Sequence, residues 1–557
     1  MTWLENLIRS DLRNLAGYSS AKTESGSFVP NIAIDANESP WPPFGDMAGF
    51  CKPNRYPEPQ PAALRQRLAD MYGVKAEQIL IGRGSDDAID VLLRLFCEAG
   101  RDQIMICPPT YGAYKVYADV QGAQTLSVPL RREDWQLDVP AMLAASTPQT
   151  KLIFIPSPNA PMGHMMKRDD ILALCKARAE KSLIVVDEAY VDFTDNPLGM
   201  TDALKEYPNL VILRTLSKAH ALAGERIGCA LAAPEIVQRL LKVLAPYPLT
   251  QSSIRAALDA LSPSGLIQNA ARCRTLLAER ERMAKLLPQS PWVEKVFPSV
   301  TNYLLVQTKD SAAFIAQLRG FGILPRNRHS DIPNTVRLSI SSPEDNNLVL
   351  QALGVSLAKA DIPVPERLFS ARRATKETAI DVTVNLDRPD FLAIDTGIGF
   401  FDHMLAQIAT HGGFGLELHC KGDLKIDQHH TIEDCALTLG EALKGALGDK
   451  RGIARFGFSA PLDEAVANVV IDLSGRPYCV FEGHLPAPTI GEMSAEMVPH
   501  FFRSLATALA AAIHVTVQGV NAHHMTEAAF KATGRALRQA FRREGVSDVL
   551  PSTKGVL

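Results

Sequence analysis

The sequence lacks several features that mark broad classes of protein. Its nine cysteines show no Cys-x-x-Cys spacing, so we expect reduced, mostly buried thiols rather than disulfides or a zinc–thiolate site. The net charge of −3 provides no basic field for nucleic acid. No apolar run reaches the roughly 20 residues of a membrane-spanning helix, and the N-terminus lacks the cationic start and apolar run of a signal peptide. We therefore expect a cytoplasmic protein that binds neither nucleic acid nor membrane.

The length of 557 residues is too great for one hydrophobic core and predicts about three or four domains. Between about 75 and 230, short apolar runs alternate with longer helix-like segments, which is typical of βα units around a mostly parallel sheet. From about 270 to 355 the spacing changes, which indicates a smaller α/β domain. The two prolines of AKADIPVPERLFS, at 358–370, predict a linker.

The first candidate site lies in the alternating region. Ser217 and Lys218, followed by Arg226, suit pyridoxal phosphate, because a lysine amine can form a Schiff base while serine and arginine hold a phosphate. Asp187 ends an apolar run, where a carboxylate can pair with the pyridine nitrogen. The segment GRGSDD at 82–87 precedes a helix-like run whose first N–H groups can hold the phosphate. A lone Ser-Lys pair is usually an ordinary surface feature, but four such elements in this order indicate a cofactor site.

Residues 5–355 resemble the fold-type I aminotransferases, and specifically the histidinol-phosphate aminotransferases. The motifs that carry the resemblance are LRNL at 12–15, DANESP at 35–40, RYP at 55–57, CPPTY at 107–111 and VRLS at 336–339. The resemblance implies a large pyridoxal-phosphate domain at about 45–265. It also implies a small domain made of the N-terminal arm and residues 266–357.

The same resemblance implies a role for each matching residue. Lys218 would form the Schiff base and move the proton at Cα, Asp187 would pair with the ring nitrogen, and Tyr190 would bond the ring hydroxyl. The other implied cofactor contacts are Tyr111, which would stack on the ring, and Ser85, Asp86, Ser217, Arg226 and Tyr56 of the partner subunit, which would hold the phosphate. The implied substrate contacts are Arg337 to the α-carboxylate of glutamate, Tyr18 and Arg326 to the substrate phosphate, and Asn37.

One segment departs from the family pattern. The family has two asparagines before Pro-Thr-Gly, whereas residues 157–163 read SPNAPMG, with Ala160 in place of the second asparagine and Met162 in place of the threonine. Asn159 could supply the missing bond to the ring oxygen only if the loop shifts. A lost hydrogen bond to a charged group costs about 1.5–3 kcal/mol, which would slow the reaction without abolishing it.

The second candidate site lies in the C-terminal part, where His429-His430-x-x-Glu433 recurs as His523-His524-x-x-Glu527. The recurrence predicts a duplicated α/β unit. On a helix, the first histidine and the glutamate share one face, while the second histidine points elsewhere, so the two copies could serve two metal ions. Imidazole and carboxylate without thiolate fit manganese, iron, nickel or zinc about equally. A single His-His pair is usually a surface feature, and His419 and His500 are interpreted in that way.

Residues 370–557 resemble imidazoleglycerol-phosphate dehydratase. The matching motifs are RATKET at 373–378, GFFDHM at 399–404, DQHHTIED at 427–434, DLSGRP at 472–477, NAHHMTE at 521–527 and PSTKG at 551–555. The resemblance implies two Mn²⁺ ions bound by His403, His429, His430, Glu433, His514, His523, His524 and Glu527. It implies that the substrate phosphate is held by Arg455, Arg476, Lys531, Ser552 and Lys554. Glu377 is our candidate for the residue that moves protons.

Together the two resemblances imply a bifunctional enzyme of histidine biosynthesis, with an aminotransferase at 1–357, the linker, and a two-repeat dehydratase at 371–557. The implied substrates are phosphorylated imidazoles, with glutamate and 2-oxoglutarate as the amino donor pair. The implied assembly is a homo-oligomer, with dimers formed by the aminotransferase and a roughly 24-subunit shell formed by the dehydratase. Two alternatives stay open: an aminotransferase for another keto acid, such as an aromatic one, or a silent dimerisation module in place of the aminotransferase.

Overall fold

The computed structural model describes residues 2–17, 36–39, 41, 54–357, 366–457, 460–543 and 551. The chain divides into two units: Met1–Ser262 with Arg272–Pro363, and Pro263–Ala271 with Val364–Leu557. The division after Pro363 falls within the proposed linker, of which residues 358–365 lie outside the described ranges. The domain boundaries at 357 and 371 stay predictions.

The largest sheet of the first unit has seven strands in the order β1-β7-β6-β5-β4-β2-β3. The strands are β1 (Ile79–Gly82), β2 (Gln103–Ile106), β3 (Gln124–Ser127), β4 (Thr150–Pro156), β5 (Leu183–Asp187), β6 (Leu210–Thr215) and β7 (Gly228–Leu231). Strands β2 to β6 run parallel, whereas β7 is antiparallel to both of its neighbours. Every residue of β5 and β6 is buried, as predicted for strands covered on both faces. The predicted α/β fold is confirmed.

The helices of this part are α1 (Thr2–Leu7), α2 (Ala62–Tyr72), α3 (Ser85–Phe96), α4 (Ala113–Gln121), α5 (Val139–Ala145), α6 (Arg168–Ala177), α7 (Pro234–Leu241) and α8 (Gln251–Ala260). Helix α3 shows why the chain folds in this way, because Ile89, Leu92 and Phe96 recur at helical spacing and are fully buried. Asp86 and Asp87 occupy its first turn, where carboxylates interact favourably with the helix dipole.

A smaller antiparallel sheet follows, in the order β10-β11-β9-β8. Its elements are α9 (Pro263–Leu286), β8 (Val293–Val296), β9 (Tyr303–Thr308), α10 (Ser311–Gly320), β10 (Arg326–Asn327), β11 (Thr335–Ser339) and α11 (Pro343–Ala352). The register of β10 and β11 places Arg326 directly opposite Arg337. Two of the predicted substrate-binding arginines are therefore cross-strand neighbours.

The second unit contains the same sheet topology twice. The first copy has the order β12-β13-β15-β14, and the second has the order β16-β18-β22-β19, with β17 also paired to β18. In each copy the last strand is parallel to its neighbour, and the remaining pairs are antiparallel. This repeated topology agrees with the duplication that the HHxxE motifs predicted.

The elements of the first copy are β12 (Leu368–Ala374), β13 (Thr378–Asn385), β14 (Leu392–Asp395), α12 (Gly399–Gly412), β15 (Gly415–Gly422) and α13 (His429–Leu447). Those of the second are β16 (Phe456–Gly457), β17 (Ala460–Leu462), β18 (Ala465–Asp472), β19 (Tyr478–Glu482), β20 (Thr489–Ile490), β21 (Met493–Ser494), α14 (Met497–Leu509), β22 (Ala512–Gln518) and α15 (Ala522–Phe541). Among the described residues, no helix is both long enough and apolar enough to cross a membrane.

Two glycines set the spacing of the helices in this unit. A Cβ on Gly440 of α13 would lie 2.6 Å from Ala508 Cβ of α14, and a Cβ on Gly534 of α15 would lie 2.5 Å from the Ile408 carbonyl of α12. These two glycines are 94 residues apart, the same separation as the two HHxxE motifs. Since a side chain at either position would separate the helices, the glycines allow α13 to approach α14, and α15 to approach α12.

Candidate functional sites

A cavity of about 400 Å³ lies in the first unit, beside the carboxyl ends of β4, β5 and β6. Most of the predicted cofactor residues line it. The lining residues are Ser85, Asp86, Tyr111, Pro156, Pro158, Ala160, Asp187, Ala189, Tyr190, Thr215, Ser217, Lys218, Arg226, Arg326, Arg328 and Arg337. Ligands commonly bind at the carboxyl ends of strands in open α/β sheets.

Asp187, the last residue of β5, is buried in this cavity. Its carboxylate accepts hydrogen bonds from the Tyr114 hydroxyl at 2.8 Å and from the Ala189 N–H at 3.1 Å. Burial raises the pKa of Asp187 to about 6. Among the described residues no cation hydrogen-bonds to it, so a protonated pyridine nitrogen fits this carboxylate. Tyr114, which lies in none of the sequence motifs, holds the carboxylate in place.

Lys218 lies across the cavity, with its Nζ 5.7 Å from the centre of the Tyr190 ring. Burial, and next the positive charge of Arg337, lower the pKa of Lys218. A lowered pKa increases the neutral fraction of the amine, which is the form that attacks a carbonyl carbon. Tyr190 packs edge-to-face against Tyr303, and burial raises the pKa of its hydroxyl.

The residues predicted to hold a phosphate lie together at the start of α3. Arg226 donates to Ser217 Oγ at 3.4 Å and to Asp86 Oδ2 at 3.4 Å, and the Tyr111 hydroxyl donates to Asp86 at 3.3 Å. Gly84 precedes the helix with φ +81°, and a Cβ there would lie 2.9 Å from Arg226 Nη2. Glycine therefore lets the guanidinium reach the first turn of the helix, where a phosphate would accept N–H groups and contact a cation.

The structure does not place Asn159 at this cavity. Its side chain is fully buried, with Nδ2 donating to the Pro109 carbonyl at 3.2 Å and Oδ1 accepting from the Met162 N–H at 3.2 Å. The neighbouring residue, Ala160, lines the cavity instead of Asn159. Because both polar atoms of Asn159 bond the backbone and the side chain is fully buried, it does not face the cavity.

Two further predicted residues lie outside the cavity lining. Tyr56 is 47% exposed and stacks on Tyr247 with ring centroids 4.6 Å apart. Asn37 is exposed and adopts a φ of 54°. Tyr18 lies outside the described residues. The proposed contact from Tyr56 of the partner subunit stays a prediction.

A buried ionic cluster behind the cavity was not predicted. Glu188 and Arg214 pair at 2.7 Å, each with 1% of its side chain exposed, and Asp192 lies 3.7 Å from Arg214. Arg214 also donates to the carbonyls of Pro197 and Leu198. Because Glu188 directly follows Asp187, and Arg214 lies near the end of β6, the cluster joins the strand ends that carry the cofactor residues.

In the second unit, three ligand-type side chains meet at the start of α13. His429 Nε2 lies 3.4 Å from Glu433 Oε2, and His500 Nε2 of α14 lies 3.6 Å from the same oxygen. One ligand atom from each residue lies within 4.8 Å of the other two. His500 Nε2 is buried without a hydrogen-bond partner among the described residues, so an ion bound here would satisfy it. The site fits a divalent metal.

A second set occupies the equivalent place in the other repeat. His523 Nε2 and His403 Nε2 lie 3.5 Å and 3.7 Å from the Glu527 carboxylate. Lys531 Nζ lies 2.8 Å from Glu527, so it contacts this set directly. His403 and His500 are 97 residues apart and occupy corresponding helices. His500, which the sequence motifs left as a surface histidine, is therefore a candidate ligand, and a comparison of the whole repeats rather than of the HHxxE motifs alone could have identified it.

The second histidine of each motif turns to another carboxylate, as the helical spacing predicted. His430 Nδ1 lies 3.1 Å from Asp423, and His524 Nδ1 lies 2.8 Å from Glu464. These hydrogen bonds raise the pKa of both histidines. Glu377, the candidate proton carrier, lies 3.8 Å from His430 Nε2. Its carboxylate is therefore beside the first HHxxE motif.

Other predicted residues of this unit lie apart from the two histidine sets. His514 is exposed on β22 beside Tyr478 and belongs to neither set. Arg455 pairs with Asp472 at 2.6 Å. Arg476 is exposed in the loop after β18. Ser552 and Lys554 lie outside the described residues.

Comparisons with known proteins identify a family for each part of the chain. The family model for aminotransferase class I and II matches residues 22–353, and that for imidazoleglycerol-phosphate dehydratase matches residues 396–537. Histidinol-phosphate aminotransferase of Stenotrophomonas maltophilia is 43% identical over 359 residues, which cover 64% of this chain and 97% of that protein. The enzyme of that name from Xylella fastidiosa is 41% identical over 353 residues, covering 62% and 95%.

Among solved structures, histidinol-phosphate aminotransferase of Sinorhizobium meliloti in complex with pyridoxal-5'-phosphate is 25% identical, with a TM-score of 0.50. The match covers 54% of this chain and 82% of that chain. The chain thus belongs to the class I and II aminotransferases, and its C-terminal region carries an imidazoleglycerol-phosphate dehydratase domain.

Proposed function

We propose that the chain catalyses two successive reactions of histidine biosynthesis. The dehydratase domain converts imidazoleglycerol phosphate to imidazole acetol phosphate. The aminotransferase domain converts that ketone to L-histidinol phosphate, with glutamate as donor and 2-oxoglutarate as the second product. The chain order is the reverse of the reaction order.

The aminotransferase half of the proposal rests on Asp187 and Lys218 facing one cavity, with Arg226 and Ser217 at one end of it. Pyridoxal phosphate, when bound, supplies an electrophilic carbonyl carbon and an electron sink. Asp187 would keep a proton on the ring nitrogen, and Lys218 Nζ would take the proton from the substrate Cα and deliver it to the cofactor. Arg337 binds the α-carboxylate of glutamate.

The substrate assignment has support beyond the cofactor residues. The relatives matched over nearly their whole length are histidinol-phosphate aminotransferases. Arg326 and Arg337 provide cations at the cavity for a phosphorylated substrate. An aromatic keto acid would pair its carboxylate with Arg337 and leave Arg326 without an anion, and a silent module would not need Lys218 and Asp187 in one cavity.

The dehydratase half rests on the two equivalent histidine sets, one at Glu433 and one at Glu527. We propose manganese at both. The ions, when bound, supply positive charge that stabilises an anionic imidazole ring. Arg455, Arg476 and Lys531 hold the substrate phosphate. Glu377 removes the C–H proton of the substrate, and the electron-rich imidazole ring expels the hydroxyl group.

A coupled assay tests the whole proposal. Purified chain given imidazoleglycerol phosphate, pyridoxal phosphate and glutamate should form histidinol phosphate, and a chelator should stop the sequence before the ketone. Imidazole acetol phosphate supplied directly should restore product despite the chelator. Failure of that rescue would refute the aminotransferase assignment, whereas formation of ketone by chelated, metal-free protein would refute the dehydratase assignment.

The assembly is part of the proposal as well. We propose dimers through the aminotransferase, in which Tyr56 of the partner subunit contacts the cofactor phosphate, and a larger shell through the dehydratase. Light scattering should give a mass of many chains, and a monodisperse monomer would contradict this.

A further inference from the structure

Three arginines at the cavity share one face of the small sheet, at its β10–β11 edge. Arg326 of β10 is directly opposite Arg337 of β11, and the ladder continues because the Arg328 N–H donates to the Thr335 carbonyl at 3.0 Å. Since side chains alternate along a strand, Arg328 lies on the same side as Arg326. All three line the cavity that contains Lys218.

This arrangement is unfavourable for the protein alone. Like charges directly opposite each other on paired strands destabilise a sheet. Burial lowers the pKa of Arg328, and the charges of Arg337 and Arg326 lower it further. Among the described residues, the repulsion at Arg328 is offset by one ion pair, to Asp331 at 3.2 Å. The Nε of Arg328 is buried without a hydrogen-bond partner among those residues. Arg337 Nε is in the same condition.

The cavity as a whole has more cations than anions. Five cationic side chains and two carboxylates line it. One carboxylate, Asp86, is paired with Arg226, and the other, Asp187, lies in the position that suits the ring nitrogen. Neither lining carboxylate is therefore available to Arg326, Arg328 or Arg337, and among the described residues the one acidic partner found for these three arginines is Asp331, on Arg328.

The two amino donors differ in that anion. Glutamate has a carboxylate directly on Cα. In histidinol phosphate that position bears a CH2–O–phosphate group, so the phosphorus lies two bonds further from Cα than the carboxylate carbon, and the group has a charge of about −1.5 to −2. One arginine can satisfy a carboxylate through a two-pronged contact. A phosphate dianion has a third oxygen and more charge, and it requires further donors.

We propose that Arg328 binds the phosphate monoester of the substrate beside Arg326, and that it is a specificity-determining residue for phosphorylated over unphosphorylated amino donors. Arg337 serves both donors. This inference rests on the proposed function of the aminotransferase, and it adds a residue that the sequence motifs did not identify.

The test compares half-reactions of the cofactor-loaded full chain, followed by the change in cofactor absorbance. The donors are histidinol phosphate, histidinol without phosphate, and glutamate. R328Q should lower kcat/KM for histidinol phosphate by about 10- to 100-fold, as expected for a lost charged hydrogen bond. The values for histidinol and glutamate should change by less than about threefold, because neither places a phosphate beside Arg328.

Two further variants complete the design. R319Q removes an exposed arginine of α10 that does not line the cavity, and it should match the unaltered chain. R328K keeps the charge but loses the two-pronged geometry, so its effect should be intermediate. It also serves if R328Q fails to fold, which thermal denaturation of each variant would reveal.

Equal loss for histidinol and histidinol phosphate in R328Q would overturn the inference, as would a larger loss for glutamate, or values equal to those of R319Q. Failure of the proposed function itself would show in the unaltered chain rather than in the variants. In that case the unaltered chain would react with glutamate but not with histidinol phosphate, and the phosphate assignment would fall with it.

Discussion

Replacement of Arg214 by methionine should destabilise the first unit more than almost any other single change. The guanidinium pairs with Glu188 at 2.7 Å, lies 3.7 Å from Asp192, and donates to two backbone carbonyls. Methionine fills much of the volume but leaves two buried carboxylates without their cation. Breaking a buried ion pair from one side typically costs about 3–5 kcal/mol.

The loss of unfolding free energy in this variant should depend on pH. Burial raises the pKa of Glu188 from 4.5 to about 7 despite the charge of Arg214. A carboxyl group whose pKa is raised by folding opposes folding as the pH rises through that interval. Without Arg214 the pKa of Glu188 rises further. At pH 5.5 the folded state of either protein holds Glu188 protonated, whereas at pH 8 the variant must take up a proton on folding or bury an unpaired charge. The deficit in unfolding free energy should be at least about 1 kcal/mol larger at pH 8.

Tryptophan fluorescence during urea denaturation measures this effect in the correct part of the chain, because all four tryptophans precede residue 358. Arg94→Met is the matched control. It removes a 55% exposed arginine that pairs with Asp90 at 2.8 Å, and such pairs contribute at most about 1 kcal/mol. Glu188→Gln combined with Arg214→Met should recover part of the loss. A deficit below 1 kcal/mol at pH 8, or one that is larger at pH 5.5, would refute the reasoning.

Three other predictions concern the sites. His500→Ala should weaken metal binding by more than the roughly 10- to 100-fold expected when a residue that only supports a ligand is lost, as measured by competition with a fluorescent chelator. His419→Ala should leave the metal affinity unchanged. If the two variants bound metal equally well, His500 would not belong to the site. Ala160→Asn should tighten pyridoxal-phosphate binding about tenfold, and weaker binding would mean that the loop cannot present the amide. Because the pKa of Asp187 is raised to about 6, apoprotein should bind pyridoxal phosphate less tightly as the pH falls below 6, by up to about tenfold per unit; fluorescence titration should show no such dependence in Asp187→Asn.

Local rules explain which parts of the sites the sequence predicted. Asp187 and Lys218 each follow an apolar strand, and parallel strands bring their carboxyl ends to one edge. His429 and Glu433 share a helix face at any position in any fold. Such relations depend on the backbone within a few residues, so they can be inferred without knowledge of the packing.

Relations that depend on packing could not be predicted in this way. The pairing of Glu188 with Arg214 depends on the position of the loop that supplies the carbonyls of Pro197 and Leu198. The exclusion of Asn159 from the cavity depends on the conformation of one loop. Arg328 could be recognised as a neighbour of Arg337 only from the register of β10 and β11, because the spacing of the two residues in the sequence is not typical of any motif.

Each of the two histidine sets combines residues from both repeats. His429 and Glu433 belong to the first repeat, yet their third member, His500, belongs to the second. His523 and Glu527 belong to the second repeat, yet His403 comes from the first. Each set is thus assembled across the helix pairs that Gly440 and Gly534 allow to pack closely. A single repeat contains only part of each set, so under the proposed function the loss of the histidines of either repeat would remove a candidate ligand from both sets.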